Sequence, residues 1–474
     1  MKLTRRALLG SAVVLGSGLS AGGASGDVVS PKDFGARGDG ITNDTDAFAA
    51  CAAYINARGG GTVVIPPGTY IVGRQVKAGA LGKGAAYRPA PILQFRNCSR
   101  PVTISGKGAT LRFAKGLRMG AFHPVTGAAR LTRLPFVDYD YRADPGIMID
   151  ASGCASLIVE HVELDGNLAE HVIGGKWSVD EGWQCYAHGI HTVSNDRVTI
   201  RAVHAHHFAV DAMMQVDHRL SPNAASRPVT LMDCTFEYNA RQGLSWVGGN
   251  ALSATGCKFN HTGRARNIGL DRVLSSPPGA GVDLEAEESI VRNGQFIDCE
   301  FVNNVGAGVL AASGPVQDVG FSGCRFVGTT AWSAWPDKPG FRFDDCTFLG
   351  AVVNPYGDGD ASRATQFHQC RFDDDPAGSP TGQVYGGVNL DRPLVDMSNR
   401  ENVLFDLCTF RATRGSALPW STRAIYKDCT MQQGTGVTGY PRGRYIGRNS
   451  IIGKVDINGS TIGGTLQLNG RFQN

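Results

Sequence analysis

From Leu231 to Met431 the chain repeats one arrangement of apolar and polar positions: an apolar residue, two spacers, a cysteine, one spacer and an aromatic residue. The motif centres on Cys234-Thr-Phe236, Cys257-Lys-Phe259, Cys299-Glu-Phe301, Cys324-Arg-Phe326, Cys346-Thr-Phe348, Cys370-Arg-Phe372, Cys408-Thr-Phe410 and Cys429-Thr-Met431. Three positions before each cysteine stand Leu231, Ala254, Phe296, Phe321, Phe343, Phe367, Phe405 and Tyr426. Successive cysteines are 23, 42, 25, 22, 24, 38 and 21 residues apart, so two intervals hold one coil plus an insertion. A period in the low twenties with strand-like alternation predicts a solenoid. Both apolar residues of Cys-x-Phe then share one strand face and the spacer takes the other. Coils stacked about 4.8 Å apart would pile Cys on Cys and Phe on Phe.

A second register supports the same architecture. Nine residues beyond Val203, Cys234 and Cys299 come Ala212, Gly243 and Gly308, each opening another strand, and Gly189–Val193 and Gly281–Glu285 fit neighbouring coils. Ahead of the repeats, Asp44 to Arg58 carries Phe48, Cys51, Ala52 and Ile55 at helical spacing, closed by three glycines. A solenoid needs such a cover on its open edge. The expected fold is all-β: a right-handed parallel β-helix solenoid with an N-terminal capping helix, one domain over residues 27–474.

Composition narrows the class. The 63 glycines and 19% charged residues suit turns and strands. Charge is nearly balanced at +4, and no basic run or aromatic–basic motif marks a nucleic-acid partner. Residues 1–26 join a basic start (Lys2, Arg5, Arg6) to an apolar stretch and a run of small residues, the anatomy of a signal peptide. Arg5-Arg6 before Ala-Leu-Leu resembles a twin-arginine leader. The expected location is periplasmic or secreted, with no membrane attachment once the leader is removed. Most of the 12 cysteines are expected to be free and buried, because they fall one per coil and a twin-arginine substrate folds where thiols stay reduced.

The opening stretch carries a family resemblance. Asp33-Phe-Gly-Ala-Arg-Gly-Asp-Gly40, Asn43-Asp-Thr-Asp46 and Gly59-Gly-Gly-Thr-Val-Val-Ile-Pro-Pro-Gly-Thr-Tyr70 resemble the pectate-lyase-3 group, with its rhamnogalacturonase- and epimerase-like members of the pectin-lyase-like superfamily. The resemblance implies the β-helix and a carbohydrate context, and a polysaccharide as partner. It does not bring a reaction. The Asn-Thr-Asp, paired Asp and Arg-Ile-Lys motifs of polygalacturonases are missing, as is the Asp-Pro-His of mannuronan epimerases; His188-Gly189 is a weak echo of the polygalacturonase His-Gly.

Candidate chemistry sits on the second strand register. With Val282 and Leu284 inward, Asp283, Glu285 and Glu287 face outward. Residues two apart on a strand lie about 6.6–6.8 Å apart, a separation that suits inverting glycoside hydrolysis. Crowded like charges would also keep one carboxyl protonated. The alternative is a solvated acidic strand edge. Strand alignment adds His191, Met214 and Ser245 to the column of Asp283, with Asp211 and Asp217 flanking Met214. Asp283, Glu285, Glu287, His191 and Asp211 are therefore the catalytic candidates. Insertions at 168–188 and 262–278 precede coils of this column and should wall one groove, offering Trp177, Trp183, Arg264 and Arg266 for substrate binding together with Asp217 and His206. Trp246 is expected in the core. Asp165-Gly-Asn167 is read as a structural turn, and His204, His206 and His207 as a polar ladder or substrate contact, with no metal assigned.

Three functions fit: a glycoside hydrolase using Asp283 with Glu285 or Glu287, a polysaccharide lyase, or a non-catalytic polysaccharide-binding solenoid. The hydrolase needs no cofactor. A lyase would use a base such as His191, with Arg or Ca²⁺ neutralising a uronate. Monomer and homotrimer both remain open.

Overall fold

The computed structural model describes residues 27–78, 84–130, 141–175, 185–218, 220–221, 223–287, 289–386, 390 and 392–473. Residues 1–26, read from the sequence as a leader, and the two insertion tryptophans, Trp177 and Trp183, lie outside the described residues.

The expected architecture is present. Strands of successive coils pair in parallel through one continuous 38-stranded ladder, wound as a right-handed β-helix. The repeat builds the interior as the spacing requires. Phe301, Phe326, Phe348, Phe372 and Phe410 stack ring on ring with centroids 4.7–4.9 Å apart. A second aromatic column runs from Phe296 through Phe321, Phe343, Phe367 and Phe405 to Tyr426 and Tyr445. All twelve cysteines are free and buried.

One detail refines the sequence reading. The ladder cysteine sits in a corner between two short strands, not within one: Val229–Met232 ends, Asp233 turns in the left-handed region at φ 52°, and Thr235–Glu237 begins after Cys234. From that corner most thiols of the repeat reach a carbonyl one coil back, as Cys370 Sγ does to Phe343 O at 3.3 Å and Cys429 Sγ to Phe405 O at 3.3 Å. A small side chain with a weak donor therefore satisfies a buried acceptor in most coils of the repeat.

The helix Thr45–Ala57 caps the first coil and buries Phe48, Cys51, Ala52 and Ile55, as their spacing predicts. Just before it, the Asp44 carboxylate accepts the backbone N–H groups of Arg37 and Gly38 at 2.8 and 3.0 Å, which fastens the preceding loop to the cap. Gly38 (φ 64°) has no room for a side chain, since a Cβ would fall 2.7 Å from the Tyr70 ring. No helix among the described residues is long and apolar enough to cross a membrane.

Candidate active site

Five strands form the face that carries the acidic column: Gly146–Ser152, Ala187–Val193, Asp211–Val216, Gln242–Trp246 and Val282–Leu284. Register confirms the alignment read from sequence, pairing Asp150 with His191, His191 with Met214, Met214 with Ser245, and Ser245 with Asp283. At the strand starts the simple alternation breaks. A Cβ on Gly243 would meet Phe236 and Phe259, so this position faces the core, and the next residue, Leu244, is buried as well. Gly189 and Ile190 repeat the pattern against Phe208. The residue preceding each glycine is thereby turned to the groove, which brings His188 and Gln242 into play.

These side chains surround a cleft of about 290 Å³, lined by Arg142, Tyr186, His188, Met214, Arg241, Gln242, Ser245, Pro278, Glu285 and Glu287. Its floor is a buried ion pair. Arg241 donates to Asp211 through Nε at 2.8 Å and Nη2 at 2.5 Å. His188 Nδ1 lies 3.3 Å from Asp211 Oδ2, a close contact whose angle falls short of a good hydrogen bond. Burial opposes the charge on Asp211, but Arg241 and His188 outweigh it and hold the carboxyl below its usual range. Burial drives the His188 imidazole the other way, toward its neutral form, with Asp211 offsetting only part of the effect.

Asp283 lies just beneath the cleft wall, 4% exposed, and its Oδ2 accepts the Gln242 amide at 2.6 Å. Burial and the neighbouring Glu285 push its carboxyl up to about 8, against the pull of Arg241. It therefore holds a proton at neutral pH while Glu285, half-buried, faces the cleft. The second cleft arginine, Arg142, is paired with buried Asp144 at 2.8 Å.

The groove continues toward the N-terminal coils. His188 and His191 stack with centroids 5.9 Å apart, and Tyr186 packs edge-on to His188. His191 Nδ1 lies 3.2 Å from Asp150 Oδ1. Burial opposes the charge of Asp150, but His191 and Arg96 bring its carboxyl to about 2. Tyr186 also borders a second hollow lined by Pro89, Gln94, Gly146 and Asp150.

Of the catalytic candidates, Asp283, Glu285, Glu287, His191 and Asp211 gather in or beside this groove. Among the described residues, the proposed binding residues Asp217, Arg264, Arg266 and His206 do not. Asp217 is buried and paired with Arg227 at 2.7 Å. Arg264 turns to Asn303 O and the Thr329 and Thr330 hydroxyls, tying its insertion to later coils. Arg266 pairs with Asp271 on an exposed hairpin, and His206 belongs to another strand stack. The two insertions do meet, since Asn267 Nδ2 donates to Leu168 O and His171 O at 2.8 and 2.9 Å. Trp246 is fully buried in the core. Sequence reading missed Tyr186, Arg142, Arg241 and Gln242, and gave His188 only as an echo. The available signal was position: His188 and Gln242 each directly precede a strand-opening glycine.

A parallel β-helix with an acid-rich axial groove defines the class. Residues 28–112 match the family model "Rhamnogalacturonase A/epimerase, pectate lyase-like", so the resemblance drawn from the opening residues holds across that segment. Alginate lyase 7 of Azotobacter vinelandii is 52% identical over 52 residues, which is 10% of this chain and 6% of that protein. Mannuronan C5-epimerase AlgE6 of the same organism is 54% identical over 41 residues, 9% of this chain and 5% of that one. The chain thus matches only a small part of either relative. Among solved structures, the A-module of the Azotobacter vinelandii mannuronan C-5 epimerase AlgE4 aligns over 93% of this chain and 97% of its own, at 16% identity and a TM-score of 0.40.

Proposed function

We propose that this protein is a polysaccharide-active enzyme working outside the cytoplasm, and that its cleft hydrolyses a glycosidic bond. The observation that carries this reading is the pairing of a proton-holding carboxyl, Asp283, with the carboxylate of Glu285 at the wall of a cleft sized for a sugar. Glycoside hydrolysis needs one carboxylic acid to protonate the leaving oxygen and one carboxylate to activate water. Asp283 has the raised pKa of the acid, and Glu285, with Glu287 beside it, faces the space where water would stand. Because Gln242 covers the Asp283 carboxyl, proton delivery requires its amide to swing toward the entering sugar. The Arg241–Asp211–His188 cluster forms the floor of this cleft.

A lyase is the second reading, favoured by Tyr186 and the neutral His188 on the same wall. Elimination next to a uronate requires a cation to neutralise the carboxylate, and both cleft arginines are already paired with buried aspartates. Ca²⁺ held by Glu285 and Glu287 would have to supply it. Digestion of a panel of neutral and uronate-containing glycans, with and without EDTA, separates the two. New reducing ends without ultraviolet absorbance support hydrolysis. Absorbance from an unsaturated product that disappears with EDTA overturns it in favour of the lyase.

A further inference from the structure

A second group of chemistry-bearing side chains lies on a different stack of strands from the cleft. Three consecutive coils set Glu163, then His204 and His206, then Glu237 on one outer face, with Glu163 in register with His204 and His206 with Glu237. His206 Nε2 lies 3.0 Å from Glu163 Oε1, and His204 Nε2 lies 3.0 Å from Glu237 Oε1. Ligand atoms of Glu163, His204 and His206 all fall within 4.8 Å of one another. Donors bound to one ion at about 2.0–2.2 Å end up roughly 3 Å apart, so only small shifts separate this arrangement from a coordination shell.

The outer partners point the same way. Thr110 Oγ1 donates to Glu163 Oε2 at 2.7 Å, fixing the oxygen turned away from the histidines. His206 Nδ1 stands 2.6 Å from His207 Nδ1, so one of these two nitrogens carries the shared proton. With His206 as donor, its Nε2 presents a lone pair to the space between Glu163 and His204. A ligating imidazole is ordinarily held in this way, its other ring nitrogen engaged by a second polar group. Mixed imidazole and carboxylate donors suit a zinc-like ion, whereas Ca²⁺ and Mg²⁺ call for oxygen ligands throughout.

We infer that Glu163, His204 and His206 form a site for one divalent transition-metal ion that clamps two neighbouring coils together. The site goes beyond the proposed hydrolysis and stands or falls independently of it. The test is titration of the full chain, first stripped with EDTA, using Zn²⁺ by calorimetry and Co²⁺ by visible absorption. One ion per chain, with a cobalt ligand-field band and a Zn²⁺-dependent rise in melting temperature, is the expected result. His204→Ala removes all three signals, and because the His204 side chain is 41% exposed this variant should fold normally. Thr110→Ala weakens binding by about 10–100-fold, the usual cost of losing an outer partner. Absence of Zn²⁺ binding, or a stoichiometry and cobalt spectrum unchanged in both His204→Ala and His206→Ala, overturns the inference and leaves the cluster a ladder of ion pairs.

Discussion

Leu407 adopts φ 56° at the corner immediately before Cys408. The same slot in other coils holds Asp233, Gly256, Asp298, Gly323, Asp345, Gln369 and Asp428, all with positive φ. Left-handed backbone costs a branched L-residue roughly 1–2 kcal/mol, and glycine escapes most of this. Leu407 is also 46% exposed, so little packing is at stake. Leu407→Gly should therefore raise stability by about 1 kcal/mol, read as a higher urea midpoint. Asp283 gives a prediction of opposite character. Its carboxyl sits at about 8 when folded against 3.8 as the ordinary value, so the folded state keeps a proton that the unfolded state releases. Stability from this group is complete below about pH 4 and is lost as pH rises toward 8. Asp283→Asn, which mimics the protonated form, should raise the melting temperature more at pH 8 than at pH 5. A gain equal at both pH values would show that the carboxyl is not protonated in the fold. Asp283 was legible because it sits mid-strand, where alternation between core and groove is strict. His188, Gln242 and Arg241 were not, because two consecutive inward residues at Gly243–Leu244 and Gly189–Ile190 reset that alternation at the strand entry.

At the scale of elements, the repeat could be read because the interior of a solenoid imposes the same demand on every coil. The aromatic positions must stack and the corner must stay small, so both recur at visible spacing. Insertions escape that demand, and their contacts follow no period. Their positions along the chain were evident, yet their arginines turned to other partners: Arg264 to hydroxyls of later coils, Arg266 to its own hairpin. Beside the Ile268 N–H, which donates to Ala169 O at 2.9 Å, Asn267 joins the two insertions by its side chain, fully buried and bonded to two carbonyls of the segment near Leu168. Removing it leaves both acceptors without their donor at about 1–3 kcal/mol. Asn267→Ala should loosen the 262–278 insertion from the coil body, seen as faster amide exchange confined to 168–175 and 262–278. Exchange unchanged in both segments would mean that the hairpin is held by other contacts.

For the whole molecule, the β-helix supplies a rigid face on which neighbouring coils set side chains at fixed spacing, and the groove depends on this. Asp211, Arg241 and Asp283 come from three successive coils, and their burial together settles which carboxyl is charged and which is protonated. Neither state follows from one strand alone. The fold was therefore written in the repeats and in the opening motif, whereas the protonation states emerged only from stacking. The measurement that bears most directly on the central claim is the pH–rate profile of reducing-end release on a glycan the protein cuts, for the native chain and for Glu285→Gln. Activity that falls as pH rises through about 8, with turnover abolished in Glu285→Gln, is the expected result. Full turnover in Glu285→Gln would contradict the account and move the chemistry away from this carboxyl pair.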